Sequence, residues 1–291
     1  MQLVFSDQPL PTFVEKSLFL EGPSPRDLET LDWRRQAVDL LVQLNYDGVV
    51  YIPCPQSVWD KLKNGKWDYE NQVEWEHKAR FASDAIVCWV PRELEKMPAM
   101  TTNVEFGEDF DLGRFYYGRP DWAKKCAYLD SKAKKQNIRI YNDLFVLLQD
   151  VVSTLKPVAR SDAWATIPAM AWEFDSFRQW FSSMNLVGNE LQEATVTHVV
   201  GKANKSFLFI LQAKIYVANE NRVKSNESVV FRKNTVTVVP YYVQEDGSIS
   251  YVLVNEFRAA TSSELGIVKE FVSGSSSDSE ATVMETVKEE L

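Results

Sequence analysis

The order of apolar and polar positions in the first half of the chain alternates between strand-like and helix-like patterns. Short apolar runs predict buried strands at 17–21, 49–53, 85–90, 113–118 and 138–141. Apolar residues at helical spacing predict helices at 31–44, 67–81, 122–134 and 144–155, with a further helix opening near residue 100. This alternation favours an α/β domain with a five-stranded parallel sheet.

The second half of the chain has a different pattern. Beyond residue 195, apolar and polar positions alternate in runs rich in β-branched and aromatic residues, at 207–211, 214–217, 229–231, 235–243 and 251–254. Glu245-Asp246-Gly247 between the last two runs predicts a hairpin turn. These patterns predict an α+β unit with a mixed, mainly antiparallel sheet.

Two features of the sequence suggest where the halves meet. Apolar periodicity fades and two prolines occur over 156–168, which is typical of a boundary. An aromatic-rich helix is predicted at 171–184. The sequence does not distinguish whether its aromatic side chains pack in a core or at an interface. We therefore expect a doubly wound, flavodoxin-like domain at 1–160, a helical connector at 161–190 and a second domain at 191–291.

Composition narrows the class of protein. The chain has 291 residues, of which 45% are hydrophobic and 25% charged, as in globular domains. The net charge of −9 argues against nucleic acid as a partner, because phosphate binding needs a basic footprint. No apolar run approaches the ~20 residues of a membrane span, and the N-terminal segment does not resemble a signal peptide. With three cysteines and no CxxC motif, we expect a cytoplasmic protein with no membrane partner.

The segment Met100-Thr101-Thr102-Asn103-Val104-Glu105-Phe106-Gly107 carries the candidate chemistry. It follows the strand at 85–90 and a loop with two prolines, and we expect Glu105 in the first turn of the helix that it opens. Ligands of open α/β sheets bind at the carboxyl ends of strands, where such a carboxylate would lie. A first-turn glutamate is also an ordinary partner of the helix dipole, and Asp84 before the strand could be an ordinary cap.

Six segments between about residues 16 and 155 resemble, in order and spacing, the nucleoside 2-deoxyribosyltransferase family. They read LFLEGPSPR, WRRQAVDLL, VVYIPCP, ASDAIVCWVP, MTTNVEFG and YYGRP. The resemblance implies that Glu105 is a nucleophile that attacks the anomeric carbon of a deoxynucleoside and forms a glycosyl-enzyme ester. It also implies that Asp84 places the substrate or handles a proton of the base.

The same resemblance implies further properties of the first domain. It implies a small-molecule nucleoside or nucleotide as substrate, no cofactor, and a homo-oligomer. The candidate substrate-binding residues are Gly22, Ser24, Arg26, Thr102 and Asn103. Ala99 and Phe19 occupy places where family members carry an aspartate and a tyrosine, so hydrolysis and transfer both remain open.

A second resemblance covers the end of the chain. The strands at 235–243 and 251–254, followed by Lys269-Glu270-Phe271-Val272-Ser273-Gly274, resemble the core of a Nudix hydrolase of the ADP-ribose pyrophosphatase type. Gly274, Glu280 and Glu289 match the spacing of the Nudix box, which Leu291 interrupts before its metal-binding glutamate pair. The resemblance implies an incomplete Mg²⁺ site, with Glu289 and Glu285 as metal candidates, and no diphosphate hydrolysis by this chain.

The sequence therefore carries several functional hypotheses. The first is an enzyme that cleaves or transfers the N-glycosidic bond of a nucleoside or nucleotide. The second is a catalytically inactive nucleotide-binding or assembly protein. A third is a fragment of a bifunctional glycosyltransferase and Nudix diphosphate hydrolase.

Overall fold

The computed structural model describes residues 1–27, 29–61, 69–202, 205–233, 235–257, 267–270 and 272–275. The chain divides into two compact units. The first contains Met1–Glu173 and Phe177–Phe231, and the second contains Phe174–Ser176 and the described residues from Arg232 onward. This division differs from the boundaries at 160 and 190 expected from the sequence, because residues 177–231 group with the first unit.

The secondary structure is as follows. The strands up to residue 232 are β1 (Gln2–Phe5), β2 (Phe13–Val14), β3 (Ser17–Glu21), β4 (Val49–Ile52), β5 (Ala85–Trp89), β6 (Phe115–Gly118), β7 (Ile140–Tyr141), β8 (Arg160–Ser161), β9 (Glu190–Lys202), β10 (Lys205–Val217) and β11 (Arg222–Arg232). The later strands are β12 (Thr235–Val238), β13 (Tyr241–Val243), β14 (Ile249–Tyr251), β15 (Val254–Phe257), β16 (Ile267–Glu270) and β17 (Val272–Ser275). The α-helices are α1 (Trp33–Gln43), α2 (Gln56–Trp59), α3 (Tyr69–Ala82), α4 (Met100–Asp109), α5 (Ala127–Lys135), α6 (Leu144–Thr154) and α7 (Asp175–Leu186).

The centre of the first unit is a six-stranded sheet in the order β1-β4-β3-β5-β6-β7, with every neighbouring pair parallel. The α/β class predicted from the sequence is therefore confirmed. The prediction of five strands was wrong by one, because β1 was missed. This strand is only four residues long, and it is defined by its pairing with β4, a segment distant in the sequence, so no local pattern marks it.

Helices cover both faces of this sheet. On one face, α1 and α6 pack through buried residues such as Ala37, Leu41 and Leu147. On the other, α3, α4 and α5 pack through residues such as Ala79 and Phe106. Because both faces are covered, β3 and β5 are buried at every position, which explains their nearly continuous apolar sequences.

A second sheet in the first unit has the order β11-β10-β9. The sequence predicted separate strands at 207–211 and 214–217, but these belong to the single strand β10. Its register against β9 shifts between Ile210 and Leu211 and again between Lys214 and Ile215, so bulges interrupt the simple alternation. The predicted aromatic helix corresponds to α7, whose Phe177 packs on Phe231 at 5.3 Å between ring centroids.

In the second unit the described strands form antiparallel pairs. The predicted hairpin is present: β13 pairs with β14, and Gln244 N donates to Ser248 O at 2.8 Å across the turn. The predicted strand at 235–243 is two strands, β12 and β13, separated near Pro240, which cannot donate to a ladder. Gly274, the first matched residue of the expected Nudix box, lies within β17 and pairs with Val236.

Candidate functional site

A pocket of about 380 Å³ lies at the carboxyl edge of the parallel sheet. Its walls come from the loops that follow β3 and β4 and from the facing surfaces of α3 and α4. The chain passes from β3 to β4 on one side of β3 and later enters β5 on the other side. The order of the strands thus reverses beside β3, which is where open α/β sheets form their ligand crevice.

Glu105 is partly exposed and lines this pocket. It is the sixth residue of α4, so it lies in the second helical turn, and the expectation of a first-turn glutamate was wrong. Ala99, in a left-handed conformation with φ of 58°, is the residue before the helix. The helix thus begins at Met100, ahead of Thr101 and Thr102. The carboxylate of Glu105 is consequently not held by the free N–H groups of the first turn.

The environment of Glu105 favours its protonated form. Burial raises its pKa to about 7, and the negative charge of Glu76 contributes to the rise. Arg80 and Arg34 oppose the rise, and Asp109 adds to it. A carboxyl group with this pKa exchanges its proton near neutral pH, as acid–base and nucleophilic chemistry requires.

Glu76 of α3 is a second carboxyl group in the same pocket, and it was not among the residues predicted for the site. Burial raises its pKa as well, while a hydrogen bond from Gln72 lowers it. Gln72 Nε2 donates to Glu76 Oε1 at 2.6 Å and to Pro53 O at 3.2 Å. Gln72, Glu76 and Arg80 are spaced four residues apart, and this polar stripe on one face of a helix is the sequence signal that could have identified them.

Arg80 joins the two helices that form the pocket. Its side chain is buried, and Nη1 lies 2.8 Å from Asp109 Oδ2 while Nη2 lies 2.9 Å from Glu108 Oε2. Burial disfavours the charged guanidinium, but Asp109 and Glu108 raise the pKa of Arg80 above its ordinary value. The permanent positive charge of Arg80 therefore lies between α3 and α4, close to both pocket carboxyl groups.

The loop after β3 is held in a fixed shape by Arg34. This side chain is only 2% exposed and donates to Leu20 O at 2.9 Å, Gly22 O at 2.5 Å and Pro23 O at 3.3 Å. A Cβ atom on Gly22 would overlap Trp89 O, so the loop passes too close to β5 for any other residue. Arg34 therefore binds protein carbonyl groups and fixes one wall of the pocket.

The structure brings together only some of the predicted substrate-binding residues. Gly22 and Ser24 line the pocket with Glu105. Arg26 lines an adjoining pocket of about 290 Å³ that shares Ser24. Thr102 is buried, and Asn103 lies on another face of α4, where its Oδ1 accepts a hydrogen bond from Arg92. Thr102 and Asn103 thus do not line the pocket around Glu105.

Asp84 is also absent from this pocket. It precedes β5 and so lies at the amino edge of the sheet, whereas Glu105 lies at the carboxyl edge. Its Oδ2 lies 2.6 Å from Arg160 Nη2 and accepts from Ser17 N at 2.8 Å, and its Oδ1 accepts from Ala169 N at 2.6 Å. These bonds use both oxygens within the protein, so the role that the sequence suggested for Asp84 does not agree with its position.

The described residues contain no group of three or more His, Cys, Asp or Glu side chains arranged to hold a metal ion. Glu280, Glu285 and Glu289 of the expected Nudix box lie outside the described residues. The Mg²⁺ site therefore stays a prediction. In the part of the chain that the structure describes, no helix is long and apolar enough to cross a membrane.

Comparison with known proteins gives no relative for this chain: no model of a protein family matches it, and no curated protein matches it.

Proposed function

We propose that the protein is a nucleoside- or nucleotide-processing enzyme that cleaves or transfers an N-glycosidic bond, with Glu105 as the nucleophile. One observation carries the proposal: Glu105 and Glu76 face the same pocket from two helices, and the charge of Glu76 raises the pKa of Glu105. The pocket lies at the reversal of strand order, where a ligand crevice is expected.

The two carboxyl groups suit a double-displacement mechanism. The pKa values of both groups are raised, and the proposed reactive state carries a proton on Glu76 and leaves Glu105 ionised. In the first step, ionised Glu105 attacks the anomeric carbon as the bond to the base breaks, and protonated Glu76 gives its proton to the departing base. The transition state resembles an oxocarbenium ion, which a nearby carboxylate stabilises.

The second step reverses these roles. Ionised Glu76 takes a proton from water or from an acceptor base, which attacks the anomeric carbon and releases Glu105 as a carboxylate. With water the product is a free sugar, and with a base it is a new nucleoside. Both outcomes use the same residues, so the proposal covers hydrolysis and transfer alike.

The adjoining pocket supports a phosphorylated substrate. It shares Ser24 with the pocket around Glu105, and Arg26, Arg35 and Lys61 line it. These three cations outnumber the two carboxylates of the same lining, Asp27 and Asp32, so the pocket keeps one excess positive charge for an anionic group on the ligand. We therefore propose a nucleoside monophosphate as the preferred substrate, with its phosphate near Arg26.

The proposal includes the finer architecture expected from the sequence. Without the edge strand β1, the sheet order β4-β3-β5-β6-β7 corresponds to the order 2-1-3-4-5 of flavodoxin-like domains, which supports that assignment. The antiparallel pairs of the second unit are compatible with a Nudix-like sheet, which stays part of the proposal.

The experiment that tests the proposal measures release of free base from a panel of deoxynucleosides and their monophosphates. The panel is run with and without an acceptor base on the wild type, on Glu105→Gln and on Glu74→Gln. Glu74 is a matched control because it lies on α3 beside Glu76 but is exposed and pairs with Lys78 at 2.7 Å. Release by the wild type and Glu74→Gln but not by Glu105→Gln supports the proposal. No release from any substrate by a folded protein would favour the alternative of an inactive nucleotide-binding or assembly protein.

A further inference from the structure

Glu21 is a completely buried carboxyl group that the proposed mechanism does not use. It is the last residue of β3 and directly precedes Gly22 in the wall of the pocket. Its side chain is 0% exposed, and neither of its oxygens accepts a hydrogen bond from an N–H group among the described residues. An ionised carboxylate in such a place would be strongly unfavourable, so Glu21 must hold a proton or find a donor.

The neighbours of Glu21 point to the protonated form. Asp109 and Glu105 approach it from α4, Arg80 from α3, and Cys88 from the paired position on β5. Burial raises the pKa of Glu21 well above its ordinary value, and the negative charges of Asp109 and Glu105 raise it further. Cys88 and Arg80 act in the opposite direction. Burial also raises the pKa of the Cys88 thiol, so its S–H remains to donate to Glu21.

One carboxylate oxygen of Asp109 is available to accept a hydrogen bond from a protonated Glu21. Its Oδ2 receives the hydrogen bond from Arg80 Nη1 at 2.8 Å, but its buried Oδ1 receives none from an N–H group among the described residues. Each of these two carboxyl groups also influences the other: the charge of Asp109 helps to raise the pKa of Glu21, and hydrogen bonding by Glu21 acts to lower the pKa of Asp109. A carboxylic acid at Glu21 that donates to Asp109 Oδ1 satisfies both groups at once.

This pair lies beneath the helical turn that carries Glu105. Glu105 and Asp109 are four residues apart on α4, and Arg80 holds Asp109 and Glu108 to α3. Glu21 adds the third connection, from α4 to the central strand β3. The loss of its donor would leave Asp109 with an unsatisfied buried oxygen and loosen the turn on which Glu105 lies.

We propose that Glu21 is a positioning residue that works as a neutral carboxylic acid, which donates a hydrogen bond to Asp109 and so holds the Asp109–Arg80 pair and Glu105 in place. The inference rests on the proposed function, because it assigns Glu21 to the reaction of Glu105. The glutamate at this position thus differs from Leu18, Phe19 and Leu20 of β3, which are buried, apolar and serve the core.

Two variants of similar length separate the hydrogen bond from the shape of the side chain. Glu21→Gln keeps a neutral donor toward Asp109, and Glu21→Met keeps only the approximate volume. We expect Glu21→Gln to retain base release within about threefold of the wild type, and Glu21→Met to lose about tenfold or more in kcat at similar KM. The pH dependence of kcat/KM in Glu21→Gln should match the wild type, because no charge near Glu105 has changed. Equal losses in both variants, or no loss in Glu21→Met, would overturn the proposal.

A shift of the acid limb to lower pH in Glu21→Gln would also overturn it, because that shift would mean that an ionised Glu21 had been removed. A second readout does not depend on activity. The infrared absorption of protonated carboxylic acids at neutral pH should be larger in the wild type than in Glu21→Gln by one group, because the protons on Glu105 and Glu76 contribute to both spectra. If this difference is present but the wild type releases no base, the proposed function fails while the protonated state of Glu21 stands. If the difference is missing, the inference fails whatever the activity.

Discussion

Asp84 and Arg160 form a buried ion pair at the amino edge of the central sheet, with Arg160 Nη2 2.6 Å from Asp84 Oδ2. Arg160 also donates to Ile167 O at 2.7 Å, so the pair ties the start of β5 to the segment that follows α6. Neither side chain is more than 3% exposed. The pair is therefore part of the scaffold and lies at the opposite edge of the sheet from Glu105.

We predict that Asp84→Asn lowers stability without lowering the activity of the folded enzyme. The substitution leaves the positive charge of Arg160 buried without a partner, which costs about 3–5 kcal/mol in comparable buried pairs. Urea unfolding measures the loss, and base release per folded molecule measures the activity. Asp47→Asn is the control, because Asp47 pairs with Lys16 at the surface and should change the unfolding midpoint little. A large loss of kcat in stable, folded Asp84→Asn would restore the catalytic role that the sequence suggested.

We predict that Glu76→Gln reduces the rate and removes the alkaline limb of the pH–rate profile. The proposed reactive state carries a proton on Glu76, and glutamine can neither donate this proton nor lose it at high pH. The loss of the acid that protonates the departing base should cost about 10²-fold or more in kcat. Glu74→Gln should leave both quantities unchanged. An unchanged rate in Glu76→Gln would remove Glu76 from the mechanism.

We predict that Glu105→Gln is more stable than the wild type at pH 8 and similarly stable at about pH 4. The folded-state pKa of Glu105, about 7, lies above the ordinary glutamate value, so its protonated form contributes stability that is fully present below the ordinary glutamate pKa of about 4.3. That contribution is lost as the pH rises from there through about 7, whereas glutamine has no proton to lose. The difference at pH 8 should be on the order of 1–3 kcal/mol, measured by urea unfolding at both pH values. A difference that does not depend on pH would contradict the raised pKa.

We predict that Arg26→Ala raises KM for nucleoside monophosphates more than for the unphosphorylated nucleosides. Arg26 lines the adjoining pocket with Ser24 and does not line the pocket of Glu105 and Glu76, so kcat should change little. Loss of one charge-assisted contact to phosphate corresponds to about tenfold in KM. Equal effects on both substrate classes would place the phosphate elsewhere.

The sequence predicted those elements whose signal is local. The buried strands β3 and β5 are continuous apolar runs, and Asp32, whose side chain accepts from Arg34 N at 3.0 Å, caps an amphipathic α1. The strand β1 has no such signal, because its identity depends on pairing with β4, a distant segment. The helix α4 begins near residue 100, as expected, but Glu105 is its sixth residue and therefore lies in its second turn and not in the first turn, as was predicted.

The candidate site depends on how elements pack, and this limited its prediction. Glu105 was identified, but Glu76 was missed because the polar stripe on α3 does not by itself distinguish a site from a solvated face, and only packing against α4 brings the two carboxyl groups into one pocket. Asp84 was given a role by the resemblance to the nucleoside 2-deoxyribosyltransferase family, and the direction of β5 places it at the amino edge of the sheet, away from Glu105. The burial of Glu21 beneath the pocket likewise follows from its position in the central strand.

The most direct test of the central claim is to trap the glycosyl-enzyme ester. The wild type is mixed with a 2-fluoro-substituted nucleoside or its monophosphate, which slows the second step, and the protein is digested and examined by mass spectrometry. The account predicts a mass increase of one fluorinated sugar on the peptide that contains Glu105, and none in Glu105→Gln. A sugar attached to Glu76 instead, or base release with no adduct on Glu105 under conditions that trap the intermediate, would contradict it.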